Sequence, residues 1–224
     1  MKTLIIGAGE IGSSLYSIFS KNYECNIVDK KPTLKTDYEI IHICFPYSDL
    51  FVKQVQDYKI KYNPKYVVIH STVPIGTSRE LEAIHSPVVG IHPDLSKSLK
   101  VFTKFLGGYK AGEVANYFRR CGIRVHLEDK QETTELLKIQ STTFYSLMIE
   151  FCKDMKRQCD YFNVPYSSFL LWNDNYNKGY EKLGYPEFKK PLLQPIMGKQ
   201  GGHCTLPNLQ LIETKFTDFL KKIT

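Results

Sequence analysis

The chain has 224 residues, 42% apolar and 24% charged, with 30 lysines and arginines against 23 aspartates and glutamates for a net charge of +7. That is the composition of a folded globular protein with a core of ordinary size, which needs no disulfide or metal to hold it. The longest apolar runs fall far short of the ~20 residues of a membrane-spanning helix, the N-terminus lacks a secretory signal pattern, and the positive excess lies in scattered pairs such as Lys30–Lys31 and Lys221–Lys222 rather than on the clustered face that nucleic acid demands.

In chain order, residues 3–6 form a short apolar run ending in glycine, and residues 10–21 carry Ile11, Leu15, Ile18 and Phe19 at helical spacing. Further strands are predicted over 25–28, 40–45, 66–70 and 88–91, with helices over 48–60 and 77–84. A helix over 111–121 and a strand over 123–127 complete this half. Strands that are apolar throughout and alternate with helices imply an α/β fold, a parallel sheet covered on both faces. Residues 131–160 then contain neither proline nor glycine. Leu137, Phe144, Met148, Phe151 and Met155 recur at helical intervals, which predicts one long helix, about 45 Å at 1.5 Å per residue. A second helix follows Pro165, then a Pro- and Gly-rich stretch over 186–207, then a last amphipathic helix. The change of pattern predicts one domain over 1–130 and a smaller all-α domain over 131–224. The apolar stripe of the long helix, too long for a small domain to cover, predicts a homodimer. The six cysteines show no C-x-x-C spacing, so no metal site is expected, and they read as reduced thiols of a cytoplasmic protein.

Five motifs carry chemistry. Gly7-Ala8-Gly9-Glu10-Ile11-Gly12 follows a strand and opens a helix, the context that a dinucleotide-binding fingerprint requires. Gly7 allows the tight turn, Gly9 the approach of a pyrophosphate and Gly12 the packing of helix on strand, while the helix N-terminus offers free N–H groups. This makes the first domain a Rossmann-type, doubly wound sheet. Asp29, at the end of the second strand, is placed to accept both ribose hydroxyls and repel a 2′-phosphate, which favours NAD over NADP; the adjacent Lys30 and Lys31 blunt that preference. Ser71-Thr72-Val73-Pro74, after the fourth strand, is either a turn or a hydroxyl pair reaching a nicotinamide or substrate. Cys44-Phe45-Pro46 shapes the same cleft through its backbone. His92-Pro93-Asp94 presents a histidine that is either a general base or inert. On the long helix Glu135, Lys138 and Thr142 share a face, and Lys138 either snorkels to water or reaches into the cleft. Gly201-Gly202-His203-Cys204 is a tight turn whose thiol is either activated by its neighbours or simply buried.

In this order the motifs resemble the nucleotide-sugar dehydrogenases, the UDP-glucose and UDP-N-acetylmannosamine enzymes. The segment Leu193–Cys204, with Pro207 and Asn208 behind it, is the specific part of the match. The resemblance implies an NAD-dependent oxidoreductase acting on a CH–OH group of a small molecule. Thr72 would lie near the nicotinamide and water, Lys138 would be the active-site lysine and Cys204 the nucleophile. Thr142 stands where that family has asparagine, Asn208 where it has aspartate, and the family's third, C-terminal domain is not expected here. Two other readings are a non-catalytic dimeric NAD-binding protein and, from the His92-Pro93 pair, a two-electron dehydrogenase of the prephenate or 3-hydroxyacid type.

Overall fold

The computed structural model describes residues 1–29, 37–93, 95–191, 193–195, 198 and 206–223. The chain forms two compact units, Met1–Ile139 and Gln140–Thr224.

In chain order the first unit holds β1 (Thr3–Ile6), α1 (Glu10–Phe19), β2 (Cys25–Val28), β3 (Ile40–Ile43), α2 (Phe51–Tyr62), β4 (Tyr66–Ile69), α3 (Thr77–Glu80) and β5 (Ile84–His85). There follow α4 (Leu95–Val101), β6 (Lys104–Gly107), α5 (Ala111–Arg120), β7 (Val125–Glu128) and the first turns of α6 (Gln131–Tyr161). The strands form one sheet in the order β2-β1-β3-β4-β5-β6-β7. Neighbouring strands are parallel except for β5 and β6, which meet antiparallel with His85 opposite Gly107. The chain leaves β1 for β2 on one side and returns to β3 on the other, so the strand order reverses beside β1. That reversal opens a crevice at the carboxyl edge of the sheet.

Strand side chains alternate between the two faces, and both faces are covered. Ile5, Ile40 and Val68 pack with Leu15, Ile18 and Phe19 of α1, Leu95 and Leu99 of α4, and Val114 and Phe118 of α5. Leu4, Ile6, Ile41, Ile43, Val67 and Ile69 point the other way, against Phe51, Val55 and Tyr62 of α2. This two-sided burial is why the strands read as unbroken apolar runs.

Two expectations fail on one segment. The strand expected at 88–91 lies earlier, at Ile84–His85, and the helix expected over 77–84 ends at Glu80. Glu82 adopts a left-handed backbone (φ 50°) that stops the helix, and Pro87, with no N–H to give, ends the ladder after His85. The elements α4 and β6 are not foreseen; each is short, and β6 begins with a lysine.

The second unit contains the rest of α6, α7 (Tyr166–Lys182), a 3-10 turn (Pro186–Phe188), α8 (Leu206–Leu209) and α9 (Lys215–Ile223). The 31 residues of α6 span about 47 Å. Tyr166 Oη donates to Leu193 O (3.0 Å), and the Asn177 amide bonds both backbone groups of Lys190 (2.7 and 2.8 Å). Both contacts tie the chain after α7 back to that helix. Thr214 and Thr217 cap the start of α9 reciprocally.

Three histidines are fully buried in the first unit. The His42 Nδ1–H donates to His70 Nε2 (2.9 Å), and the His70 Nδ1–H donates to Ser86 O (2.8 Å). His85 Nε2–H donates to Ser71 O (3.1 Å), and its Nδ1 lies 2.8 Å from Thr134 Oγ1. Enclosed without a carboxylate partner among the described residues, the rings favour one proton each, the neutral form. Burial drives His42 and His85 down to about 3 and lowers His70 as well. Unfolded histidine titrates near 6.5, so the stabilisation is complete above about pH 6.5 and is lost as the pH falls toward 3. Urea unfolding should lose on the order of 1 kcal/mol per pH unit per histidine over that window. A stability that stays flat from pH 7 to 5 would contradict the neutral buried rings.

Candidate functional site

The turn from β1 into α1 is shaped by absent side chains. Gly7 has φ 103°, and a Cβ on it would sit 2.9 Å from the backbone of Cys44 and Phe45. A Cβ on Gly12 would lie 1.8 Å from Gly7 O. A Cβ on Gly9 would meet nothing within 4 Å, so the surface over that residue is open. Gly9 is the N-cap of α1, and no side chain caps the helix. The first-turn N–H groups of Glu10, Ile11 and Gly12 have no acceptor within the helix. They lie at the positive end of its dipole beside open space, an arrangement suited to a pyrophosphate. The Glu10 carboxylate is taken by His92 Nδ1, so Glu10 offers its backbone while its side chain ties α1 to the segment after β5.

Asp29 follows β2 and is exposed at the same edge. Burial first, then the phenol of Tyr62 and the negative charge of Asp29, push the Tyr58 hydroxyl of α2 up from its ordinary value. Phe45 packs on Phe51 and Tyr58, with ring centres 5.1 and 6.2 Å apart, giving this side an aromatic wall next to the carboxylate. Pro46 beside it is exposed.

The segment after β4 is held from two directions. Ser71 Oγ donates to Phe45 O (2.6 Å), binding the ends of β3 and β4 together. The Glu135 carboxylate of α6, fully buried, accepts the N–H of Gly76 (2.6 Å) and of Ser78 (2.8 Å). Between these anchors Thr72 is half-buried. Three residues beyond Glu135, Lys138 Nζ donates to Val88 O (2.9 Å). The helix that carries Lys138 therefore also fixes the loop that carries Thr72.

The structure thus gathers Gly7, Gly9, Glu10, Ile11, Gly12, Asp29, Phe45, Pro46, Ser71 and Thr72 at one sheet edge, with His92 tied to it through Glu10. Lys138 lies in the same unit. Thr142, one turn further along α6, and Asn208, buried in α8, belong to the second unit. Lys30, Lys31, Asp94, His203 and Cys204 lie outside the described residues. Missed from sequence are His42, His70, His85, Lys104 and Tyr58. The histidines' only signal was a polar letter within or just past each strand, as in Ile-Ile-His-Ile. Among the described residues no group of histidine, cysteine, aspartate and glutamate is arranged to hold a metal ion.

No protein-family model and no curated protein matches the chain. Solved structures do match its fold. The UDP-D-ManNAc dehydrogenase of Pyrococcus horikoshii superposes with a TM-score of 0.72 at 17% identity, over 100% of this chain and 68% of that one. The 3-hydroxyisobutyrate dehydrogenase of Mycobacterium tuberculosis gives 0.70 at 10% identity, over 100% of this chain and 92% of that one. Psf3, solved in complex with NADP+ and 2-OPP, gives 0.62 at 12% identity, over 98% and 92%. At these identities the likeness is one of fold.

The glycine geometry makes opposed predictions for two neighbours. Gly12→Ala drives a methyl into Gly7 O and should cost about 2 kcal/mol or more in urea unfolding. Gly9→Ala projects into open space and should leave stability unchanged to within about 0.5 kcal/mol. Equal losses at both sites would contradict this turn.

Proposed function

We propose that the protein is an NAD-dependent dehydrogenase that oxidises a CH–OH group of a small molecule. The observation that carries this reading is the uncapped N-terminus of α1 under the open surface of Gly9, with Asp29 at the neighbouring strand end. A pyrophosphate fits those N–H donors, and a ribose diol fits the carboxylate. NAD, when bound, accepts hydride. Phe45 and Pro46 shape the cleft by backbone and ring, and Thr72 stands near the nicotinamide and the reacting oxygen.

The fold shared with UDP-D-ManNAc dehydrogenase, together with the Lys138 and Cys204 motifs, supports a nucleotide-sugar type of reaction. A primary alcohol loses hydride and a proton to become an aldehyde, and the Cys204 thiolate adds to it. After the first NADH is exchanged for a second NAD, the thiohemiacetal would lose its hydride to that cofactor and a proton to solvent, and water would hydrolyse the thioester to the acid, releasing the thiol. Lys138 stabilises the oxyanion formed on addition, and Thr72 helps hold the water. The resemblance assigns Thr142 and Asn208 to substrate polar groups, and His92 is the alternative general base.

A second reading has its own support. The fold matches the 3-hydroxyisobutyrate dehydrogenase about as well as the sugar enzyme, with TM-scores of 0.70 and 0.72. A two-electron oxidation would use Lys138 and leave Cys204 idle. Either enzyme is proposed to work as a homodimer through α6, whose Leu137, Phe144 and Phe151 are about half exposed. Five free thiols among the described residues support a cytoplasmic setting.

Calorimetry should show NAD binding at least about tenfold more tightly than NADP because of Asp29. Equal affinities would refute that role. In a four-electron reaction, Cys204→Ser should still form aldehyde and NADH but release no acid. Unchanged product in that variant selects the two-electron reading, and no turnover with any alcohol leaves an NAD-binding protein.

A further inference from the structure

Lys104 opens β6 and is only 3% exposed, yet among the described residues it faces no carboxylate. The antiparallel register of His85 with Gly107 carries the start of β6 back beside the segment that follows β5. There Lys104 Nζ donates to Ser86 O (2.6 Å) and to Pro87 O (2.9 Å). The next carbonyl along, Val88 O, takes Lys138 Nζ. Two lysines from different elements thus hold three successive carbonyls of one strand extension. Around Lys104 stand Cys44 after β3, His42 in β3, His70 after β4, His85 in β5 and Lys138 of α6. None of them is an anion at neutral pH, because the histidines are neutral and burial pushes the Cys44 thiol up.

We propose that Lys104 is a positioning residue for Lys138: by gripping Ser86 O and Pro87 O it fixes the strand extension whose next carbonyl, Val88 O, holds the Lys138 amine. Burial, ahead of every other influence, drives Lys104 toward its neutral form. A neutral amine has two N–H donors, which matches its two carbonyl partners. Such a group grips the backbone without placing a second charge beside the more exposed Lys138. Pro87 has no N–H and cannot be tied down through a ladder on that side, so side-chain donors do the work. The catalytic consequence rests on the reading of Lys138 as the active-site lysine; the positioning does not.

The test is Lys104→Met, which keeps the stem and removes both donors. Limited acetylation of the whole protein, read by peptide mass spectrometry, compares Lys138 with the exposed Lys53. The rate at Lys138 relative to Lys53 should rise severalfold, because the amine leaves its carbonyl, while circular dichroism stays that of the parent. An unchanged relative rate overturns the proposal. Should Lys104→Met fail to fold, Lys104→Gln, one atom short of both carbonyls, must shift the relative rate in the same direction or the proposal falls. In the NAD-loaded enzyme, Lys104→Met should lower kcat about tenfold with KM for NAD unchanged, and should add nothing to the loss caused by Lys138→Ala. Additive losses overturn it. A parent protein without turnover refutes the dehydrogenase reading alone, and the acetylation result still decides the positioning.

Discussion

The backbone of Gly7 lies against the backbone of Cys44 and Phe45, and the carboxyl edge of the sheet is organised around that approach. Two main chains can come so close only where no side chain intervenes. Gly12 repeats the condition one helical turn later, under Gly7 O. Together the two glycines seat α1 on β1 and β3, aiming its N-terminus across the point where strand order reverses. The third glycine, Gly9, answers the opposite requirement, since it faces open space. Packing alone does not need it, so its place is best understood through a ligand that comes close to the backbone.

A second layer of constraint lies beneath this edge. His42, His70, His85, Thr134, Lys104 and Lys138 link β3, β4, β5, β6 and α6 through bonds to one another and to the carbonyls of 71, 86, 87 and 88. In a buried setting each such group costs free energy unless it is bonded. Here one ring nitrogen, His42 Nε2, has no hydrogen-bond partner. The network resembles a scaffold more than a reacting centre, because its rings are neutral and enclosed. On α6, Glu135 holds the loop that follows Thr72 and Lys138 holds the segment after β5.

The sequence revealed the parts of this design governed by periodicity. β1 to β4, α1, α2, α5 and the long α6 are apolar runs or helical stripes whose burial the structure explains directly. β5 was displaced because Val88–Ile91 looks like a strand, whereas pairing depends on Ile84 and His85 and stops at Pro87. β6 was invisible because its first residue is a lysine, and nothing in one sequence announces that a lysine will be enclosed by carbonyls. The fingerprint glycines were legible because each answers a local backbone requirement, and the position of Asp29 after β2 followed from the strand pattern. The histidine and lysine network was not, since its bonded partners lie up to 50 residues apart and meet only through tertiary pairing.

The claim on which the account stands is that the free N–H groups of the first turn of α1 receive the cofactor phosphates. Residue-resolved amide exchange with and without saturating NAD addresses those donors directly. The account predicts slower exchange at Ile11 and Gly12, accompanied by protection at Phe45 and Thr72 and none in α9. Binding of NAD that leaves Ile11 and Gly12 exchanging at their free rate, or that protects only residues of the second unit, would contradict it.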